Sequence, residues 1–213
     1  RASIERHARM DPQYALNDPS ELLSPSLVIF LPIVRRNLAK MIEMARGADR
    51  LRPHVKTHKM PAIIRMYGEL GVHKHKCATI AEAEMTAAAS ASDILIAFPM
   101  VGPSIPRLAE LVKNFPETTF RTVVDDDDAA RALSKGLEGV ARPVPVLIDL
   151  DLGMGRTGIA PEDADDLAAL VASLPNLTFD GLHGYDGHIH DFDLEDRKKS
   201  AAPGIERTLQ LRE

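Results

Sequence analysis

Short β-branched runs alternate with longer amphipathic or alanine-rich stretches along this chain. An alternation of this kind is typical of strand and helix units that build a parallel sheet. Seven strands are predicted, near residues 26–31, 51–57, 72–77, 93–98, 119–124, 144–151 and 179–185. The pattern therefore indicates an α/β protein.

The helical segments follow from apolar stripes and from end signals. The stretch 33–46 carries apolar side chains on one face and ends before Gly47. Thr79 and Glu82 form a capping-box pattern ahead of the alanine-rich stretch 83–91. Further helices are predicted over 106–113, 128–137 and 161–173.

The number of strand and helix units favours a (β/α)8 barrel of the TIM type. Such a barrel takes roughly 250 residues, whereas this chain stops inside a charged helical segment, 193–213, before an eighth strand. We therefore expect an incomplete barrel over residues 24–213, preceded by an N-terminal extension over 1–23. Because an open parallel sheet leaves unpaired strand edges, the natural protein is expected to continue beyond Glu213.

Composition narrows the class of protein. Acidic residues outnumber basic residues by 31 to 26, so the chain as a whole does not attract nucleic acid or an anionic membrane. The single cysteine excludes an intrachain disulfide and favours a reducing, cytoplasmic location. The longest apolar run, 27–34, is too short to span a bilayer.

The segment 51–58 is the most informative part of the sequence. Strand alternation predicts that Arg52, His54, Lys56 and His58 share one face, which in a barrel would point into the lumen. A lysine among cations in a partly desolvated site has a lowered pKa and so supplies the neutral amine that forms a Schiff base. Lys56 is the candidate, although this pattern alone also fits a solvated edge or a general phosphate-binding patch.

Two motifs extend this hypothesis. The strings PHVKTHK, at 53–59, and KCATIAEAE, at 76–84, resemble the D-threonine aldolase and D-serine dehydratase family of fold-type III pyridoxal phosphate enzymes. The resemblance covers residues 24–193. It implies a barrel of the alanine racemase N-terminal type, pyridoxal 5'-phosphate bound to Lys56, His54 among the cofactor-binding residues, and a homodimer.

The glycine loop GMGRTG, at 153–158, follows an apolar strand and has the spacing G-x-G-x-x-G. The next helix is predicted to begin only at Pro161, and acidic residues crowd its start, which disfavours a dinucleotide site. The loop also resembles the family motif DLGMGRTG. That resemblance implies that Arg156 approaches the phenolic oxygen of the cofactor. The residues alone also allow a structural arginine paired with Asp149 or Asp151.

The string GLHGYDGHIH, at 181–190, ends the last predicted strand, where barrel enzymes place their chemistry. By resemblance, Tyr185 lies near the cofactor ring. His188 and His190 are catalytic candidates because histidine exchanges protons near neutral pH, and the choice between them stays open. The pair also fits half of a metal site or a polar turn.

The resemblance implies a pyridoxal phosphate-dependent lyase that cleaves β-hydroxy D-amino acids to glycine and an aldehyde. A D-serine dehydratase, a non-catalytic pyridoxal phosphate carrier and an amino-acid racemase are the alternatives. Family members of the lyase type bind a divalent metal, Mn, Zn or Mg, on a C-terminal β-domain. Neither that domain nor the phosphate-binding turns of the last barrel strands are expected within this sequence.

Overall fold

The computed structural model describes residues 11–211, which form two compact units that divide between Gly47 and Ala48. No helix within this described part is both long enough and apolar enough to cross a membrane. The first unit contains a 3₁₀ helix over Pro12–Tyr14 and helix α1 over Leu31–Ala45. The ring of Tyr14 meets that of Phe30 edge to face at 5.3 Å.

The strand predicted over 26–31 is wrong, because these residues form no ladder and α1 already begins at Leu31. Pro32 lies in the first turn of this helix. Proline is favoured there because its fixed backbone angle suits the helix and its missing N–H has no partner in the first turn. Pro32 therefore starts the helix two residues before the predicted position.

The second unit holds five parallel strands in the order β1-β2-β3-β4-β5. Its strands are β1 Lys74–Cys77, β2 Asp93–Ile96, β3 Thr119–Val124, β4 Val144–Asp151 and β5 Leu177–Tyr185. Its α-helices are α2 Pro61–Glu69, α3 Ile80–Ala88, α4 Ser104–Asn114, α5 Asp127–Gly136, α6 Ala164–Ser173 and α7 Leu194–Gln210, with 3₁₀ helices at Ala48–Arg50, Val55–Thr57 and Pro161–Asp163. Each strand pairs with the next strand in the sequence, as in the wall of a barrel.

The sheet is strongly curved. In a flat sheet, strands β1 and β5 would lie roughly 19 Å apart, at about 4.8 Å per strand. Yet Lys76 Nζ on β1 lies only 2.7 Å from His183 Nε2 on β5. These side chains can meet only across the interior of a curled sheet. The predicted α/β barrel architecture is thus confirmed.

Alternation along the strands separates an apolar layer from a polar face. The largest buried side chains pack between the sheet and its helices: Ile94, Ile96, Phe120, Ile148, Leu150, Leu108, Leu133 and Leu167. Asp149 stands between Ile148 and Leu150 and so points to the opposite, concave face. Lys76, which precedes the buried Cys77, does the same. Asp149 and Lys76 therefore both lie on the inside of the curl.

The predicted strand over 51–57 is largely wrong. Its ladder is a single bridge between His54 and Lys76, after which the chain turns into the 3₁₀ helix Val55–Thr57. His54 Nδ1 accepts a hydrogen bond from the backbone N–H of Lys56 at 3.3 Å, which caps this helix. Because a 3₁₀ helix has three residues per turn, Arg52, His54, Lys56 and His58 do not share one strand face.

The capping box predicted at Thr79 and Glu82 is confirmed for the threonine. Thr79 Oγ1 accepts from the backbone N–H of Glu82 at 3.1 Å. The Glu82 carboxylate instead reaches one residue further back, where Oε2 accepts from the N–H of Ala78 at 2.8 Å. Its other oxygen pairs with Lys59 Nζ at 2.8 Å. The buried carboxylate thereby joins the segment that carries Lys56 to helix α3.

An ion-pair network joins the amino-terminal ends of several strands. Asp93 Oδ1 lies 2.5 Å from Arg52 Nη1 and 2.6 Å from Arg121 Nη1. Arg121 Nε also donates to Asp180 Oδ2 at 2.5 Å. This network links β2, β3, β5 and the segment before the 3₁₀ helix. It lies at the end of the sheet opposite to Tyr185 and Asp151.

A buried histidine makes the stability of the fold depend on pH. His75 is 1% exposed and packs edge-on against the ring of Tyr67 at 5.4 Å. Burial, followed by the charges of His58 and Arg52, lowers the pKa of His75 to about 4. The folded protein keeps this ring neutral, whereas the unfolded chain binds a proton near the ordinary pKa of about 6.5. Its contribution is complete above pH 6.5 and is lost as pH falls toward 4.

We therefore expect the free energy of unfolding to fall by about 2 kcal/mol between pH 7 and pH 5 because of His75. Urea unfolding at the two pH values measures this loss. His75→Phe should remove the part of the dependence that comes from His75 and leave the part from His54, whose pKa burial also lowers to about 4. His73→Gln, at an exposed position on the same segment, should preserve both parts. An equal loss in wild type and His75→Phe would assign the pH dependence to other groups.

Candidate active site

A hydrogen-bonded chain of three side chains crosses the concave face of the sheet. His183 Nδ1 on β5 lies 2.6 Å from Asp149 Oδ1 on β4. The other ring nitrogen, Nε2, lies 2.7 Å from Lys76 Nζ on β1. We call Lys76, His183 and Asp149 the relay. It lies toward the carboxyl ends of the strands, where barrel enzymes place their chemistry.

The contacts of Asp149 determine how the relay is held. Asp149 is 4% exposed, and its second oxygen accepts from the hydroxyl of Thr157 at 3.0 Å. A carboxylate this deeply buried needs such partners, because burying an unpaired charge is costly. With a proton on Nδ1, His183 donates to Asp149 and leaves Nε2 free to accept from the Lys76 ammonium. Every polar atom in the contact then has a partner.

Two cations lie over the ring of Tyr185. Lys76 Nζ is 5.7 Å from the ring centroid, and Arg156 Cζ is 4.9 Å from it. Burial lowers the pKa of Lys76, and the charges of Lys56 and Arg156 lower it further, whereas Asp149 raises it. The structure thus brings Lys56, Arg156 and Tyr185 together around Lys76.

His54 belongs to the same cluster. Burial, followed by the charges of Lys56 and Lys76, lowers the pKa of His54 to about 4. His54 is therefore neutral near pH 7, as its role as acceptor for the N–H of Lys56 requires. Lys56 and Arg156 are the exposed members of this group. The amine of Lys56 is therefore accessible to a ligand from solvent.

The glycine loop after β4 is fastened by carboxylates. Asp151 Oδ1 accepts from the backbone N–H groups of Gly153 and Gly155, at 2.9 and 3.0 Å. The hydrogen bonds from Gly155 and Gly153 lower the pKa of Asp151. The N–H of Gly158 donates to Asp125 Oδ2 at 3.0 Å. The loop presents Arg156 to the ring of Tyr185.

Helical structure after the loop begins only at Pro161, as predicted, so the glycines do not open a helix as they would in a dinucleotide site. The other interpretation of Arg156 paired it with Asp149 or Asp151. Asp149 instead pairs with His183 and Thr157. Asp151 instead accepts from the backbone of the glycine loop. The guanidinium instead lies over Tyr185.

The two histidines after Tyr185 differ in position. His188 is exposed and packs beside the glycine loop, with Nε2 3.3 Å from where a β-carbon on Gly153 would stand. Its charge contributes to the lowered pKa of Asp151. His190 is also exposed, and within residues 11–211 no hydrogen bond or ion pair joins it to the cluster. The catalytic roles of His188 and His190 stay predictions.

The sequence also allows His188 and His190 to form half of a metal site or a polar turn. Among the residues that the structure describes, no group of three or more histidine, cysteine or carboxylate side chains is arranged to hold a metal ion. Cys77 lies in the apolar core, where burial raises the pKa of its thiol to about 12.

Sequence reasoning did not assign a function to any member of the relay. Lys76 is the first residue of the KCATIAEAE motif, and His183 lies two residues before Tyr185, on the same strand face. That spacing was a usable signal for His183. The contact between Lys76 and His183 joins residues 107 positions apart, so no local pattern could reveal it.

The fold and the site together define an enzyme of the α/β-barrel class. A curved parallel sheet carries lysine, arginine and tyrosine side chains toward the carboxyl ends of its strands. The model of the family "Alanine racemase, N-terminal domain" matches residues 29–212, and the chain belongs to this family.

Relatives of this chain include aldolases and a dehydratase. A 3-hydroxy-D-aspartate aldolase of Paracoccus denitrificans (strain Pd 1222) is 32% identical over 85% of this chain and 48% of its own length. The crystal structure of D-threonine aldolase from Filomicrobium marinum matches with a TM-score of 0.82 and 34% identity, over 89% of this chain and 52% of that one. D-threo-3-hydroxyaspartate dehydratase from Delftia sp. HT23 matches with a TM-score of 0.76 and 26% identity, over 90% and 52%. The chain thus spans about half the length of these relatives.

Proposed function

We propose that this chain is the pyridoxal phosphate-binding barrel of a lyase that acts on β-hydroxy D-amino acids, with Lys56 as the lysine that carries the cofactor. One observation carries the proposal. Lys56, Lys76 and Arg156 concentrate positive charge around Tyr185, while Asp149 is already paired with His183 and Thr157. Such a surplus of positive charge favours an anionic ligand.

The residues present fit pyridoxal phosphate. Lys56 supplies an accessible amine for its aldehyde, Arg156 a guanidinium for its phenolate oxygen, and Tyr185 an aromatic face for its ring. His54 stays neutral beside Lys56 and holds the backbone of the lysine in place. When bound, this cofactor supplies an electron-withdrawing ring conjugated to the α-carbon of the amino acid.

The remaining polar groups would transfer protons and orient the ligand. His188 lies at the mouth beside the glycine loop and is proposed to take the proton of the β-hydroxyl, with His190 as the other candidate. Arg156 is kept in place by the fastened loop and orients the ligand. A fixed guanidinium costs no reorganisation when charge develops next to it.

Retro-aldol cleavage to glycine and an aldehyde is the first reaction we propose. The two aldolases are 32% and 34% identical to this chain, against 26% for the dehydratase. Dehydration to an oxo acid and ammonia is the second candidate, which the 0.76 TM-score of the dehydratase supports. We further propose a divalent metal held outside the residues described, a homodimer and a cytoplasmic location.

The full gene product that contains this chain should be incubated with pyridoxal phosphate and with D-threonine, D-threo-3-hydroxyaspartate or D-serine. Glycine is expected from a D-β-hydroxy substrate, and L-threonine serves as the control. Ammonia without glycine would indicate the dehydratase reaction. Inversion of the α-carbon configuration without cleavage or dehydration would indicate a racemase. Bound cofactor without turnover of any substrate would contradict the lyase and identify a carrier.

A further inference from the structure

The relay contains a second lysine amine, to which the proposed function assigns only a positive charge. Lys76 Nζ contacts His183 Nε2 at 2.7 Å, and His183 Nδ1 contacts the buried Asp149 at 2.6 Å. A direct pair with Asp149 would be enough for a lysine that only binds an anion. An imidazole held by a carboxylate is, in contrast, the arrangement that accepts a proton from a neighbouring group.

The surroundings of Lys76 favour release of its proton. Lys76 is half-buried, and Lys56 and Arg156 add positive charge near it. A positive charge that moves from Nζ to the imidazole comes closer to Asp149, which stabilises it. Three strands fix the members of the relay, so the proton can move between Nζ and Nε2 without any rearrangement of the backbone.

The geometry points to Lys76 as the acid–base group that exchanges a proton with the α-carbon of the amino acid, with His183 and Asp149 as its positioning residues. This inference rests on the proposed pyridoxal phosphate site. It adds a proton-transfer group that both candidate reactions need. Cleavage must deliver a proton to the α-carbon of glycine, and dehydration must remove one from the α-carbon of the substrate.

The step balances without any further reactant. The N–H bond of the Lys76 ammonium breaks as an N–H bond forms on His183 Nε2, and Asp149 balances the charge of the ring. The neutral amine then takes the α-hydrogen as a proton, so the C–H bond breaks, an N–H bond forms, and the electron pair stays with the α-carbon. Formation of glycine is the reverse transfer.

The first test uses nuclear magnetic resonance of histidine ring nitrogens in the full-length protein before cofactor is added. We expect His183 to carry its proton on Nδ1 and to show a hydrogen-bonded Nε2. Lys76→Met should move the Nε2 signal toward that of an unbonded acceptor while leaving Nδ1 in place. Identical spectra for the two proteins would show that the contact does not form, which would overturn the inference.

The second test follows exchange of the α-hydrogens of glycine for deuterium in D₂O with the cofactor-loaded protein. Lys76→Arg keeps the positive charge but cannot release its proton near neutral pH. We expect exchange to fall about 100-fold or more while the visible band of the lysine-bound cofactor remains. Lys74→Arg is the matched control, because Lys74 lies on the same strand and, within residues 11–211, its Nζ donates to the backbone carbonyl of Asp49 and to no member of the relay. It should exchange like wild type.

His183→Gln separates positioning from binding. The glutamine amide oxygen can still accept from Lys76 but cannot take its proton, so kcat should fall and its pH profile should change while KM stays near the wild-type value. Normal exchange in Lys76→Arg, or loss of its cofactor band, would overturn the role assigned to Lys76. A wild-type protein that binds no cofactor would instead contradict the proposed function, and the spectra of the first test would still report the contact.

Discussion

Replacement of Lys56 by alanine is expected to abolish covalent attachment of pyridoxal phosphate and, with it, the visible band of the lysine-bound cofactor. Lys56 is the exposed amine of the cluster, whereas Lys76 is half-buried and its Nζ is hydrogen-bonded to His183. Loss of the covalent group should lower lyase activity by at least about 1,000-fold, as losses of catalytic nucleophiles do. The absorbance spectrum after addition of cofactor and the rate of glycine formation measure the two effects.

Lys56→Arg is the matched variant, since it keeps the positive charge of the cluster but has no amine that forms a stable Schiff base. We expect it to bind the cofactor without covalent attachment. Borohydride reduction of the wild-type complex, followed by mass mapping of peptides, should place the cofactor on Lys56. Attachment to Lys76 or Lys59, or an unchanged band in Lys56→Ala, would contradict the assignment.

The buried strands could be predicted from the sequence because one physical effect dominates them. The strand predicted over 119–124 coincides with β3 Thr119–Val124, and that over 144–151 coincides with β4 Val144–Asp151. Both consist mainly of β-branched and apolar residues that pack against helices on one face. Burial and local propensity favour the same conformation there.

The segment around Lys56 follows a different balance of forces. Its ladder stops after one bridge, and the imidazole of His54 competes for the N–H of Lys56. Side chains that bond to nearby backbone groups offer an alternative to the ladder, and no period-2 pattern expresses that competition. Helix α2, Pro61–Glu69, was not predicted, although Pro61 in its first turn and the buried Ile63 and Tyr67 were available signals.

Only those residues of the site that lie in recognisable motifs could be predicted from the sequence. The motifs identify Arg156 and Tyr185, and in the structure Arg156 Cζ lies 4.9 Å from the centroid of the Tyr185 ring. Asp149 was considered only as a partner of Arg156, and it pairs with His183 instead. The curvature of the sheet decides which of these charges meet. A sequence pattern predicts on which face of the sheet a side chain lies, but not how far it is from a side chain on the opposite wall of the barrel.

Gly158→Ala is expected to cost about 2–5 kcal/mol of stability and to displace Arg156. Gly158 has a φ of +108° and lies against β4, where an added β-carbon would overlap the backbone N of Asp151 and come within 2.6 Å of the carbonyl carbon of Leu150. Neither contact can relax, because the Leu150–Ile159 bridge holds the loop to the strand. Left-handed strain adds to this overlap. Urea unfolding measures the loss.

Gly155→Ala is the matched control within the same loop. Gly155 also has a left-handed φ, of +64°, but an added β-carbon there meets no atom within 4 Å among the described residues. It should therefore show only the backbone strain, about 1 kcal/mol. Because Arg156 lies between these two glycines, Gly158→Ala should also weaken cofactor binding more than Gly155→Ala does. Equal losses of stability in the two variants would mean that the loop does not pack against β4 and that Arg156 is positioned by other contacts.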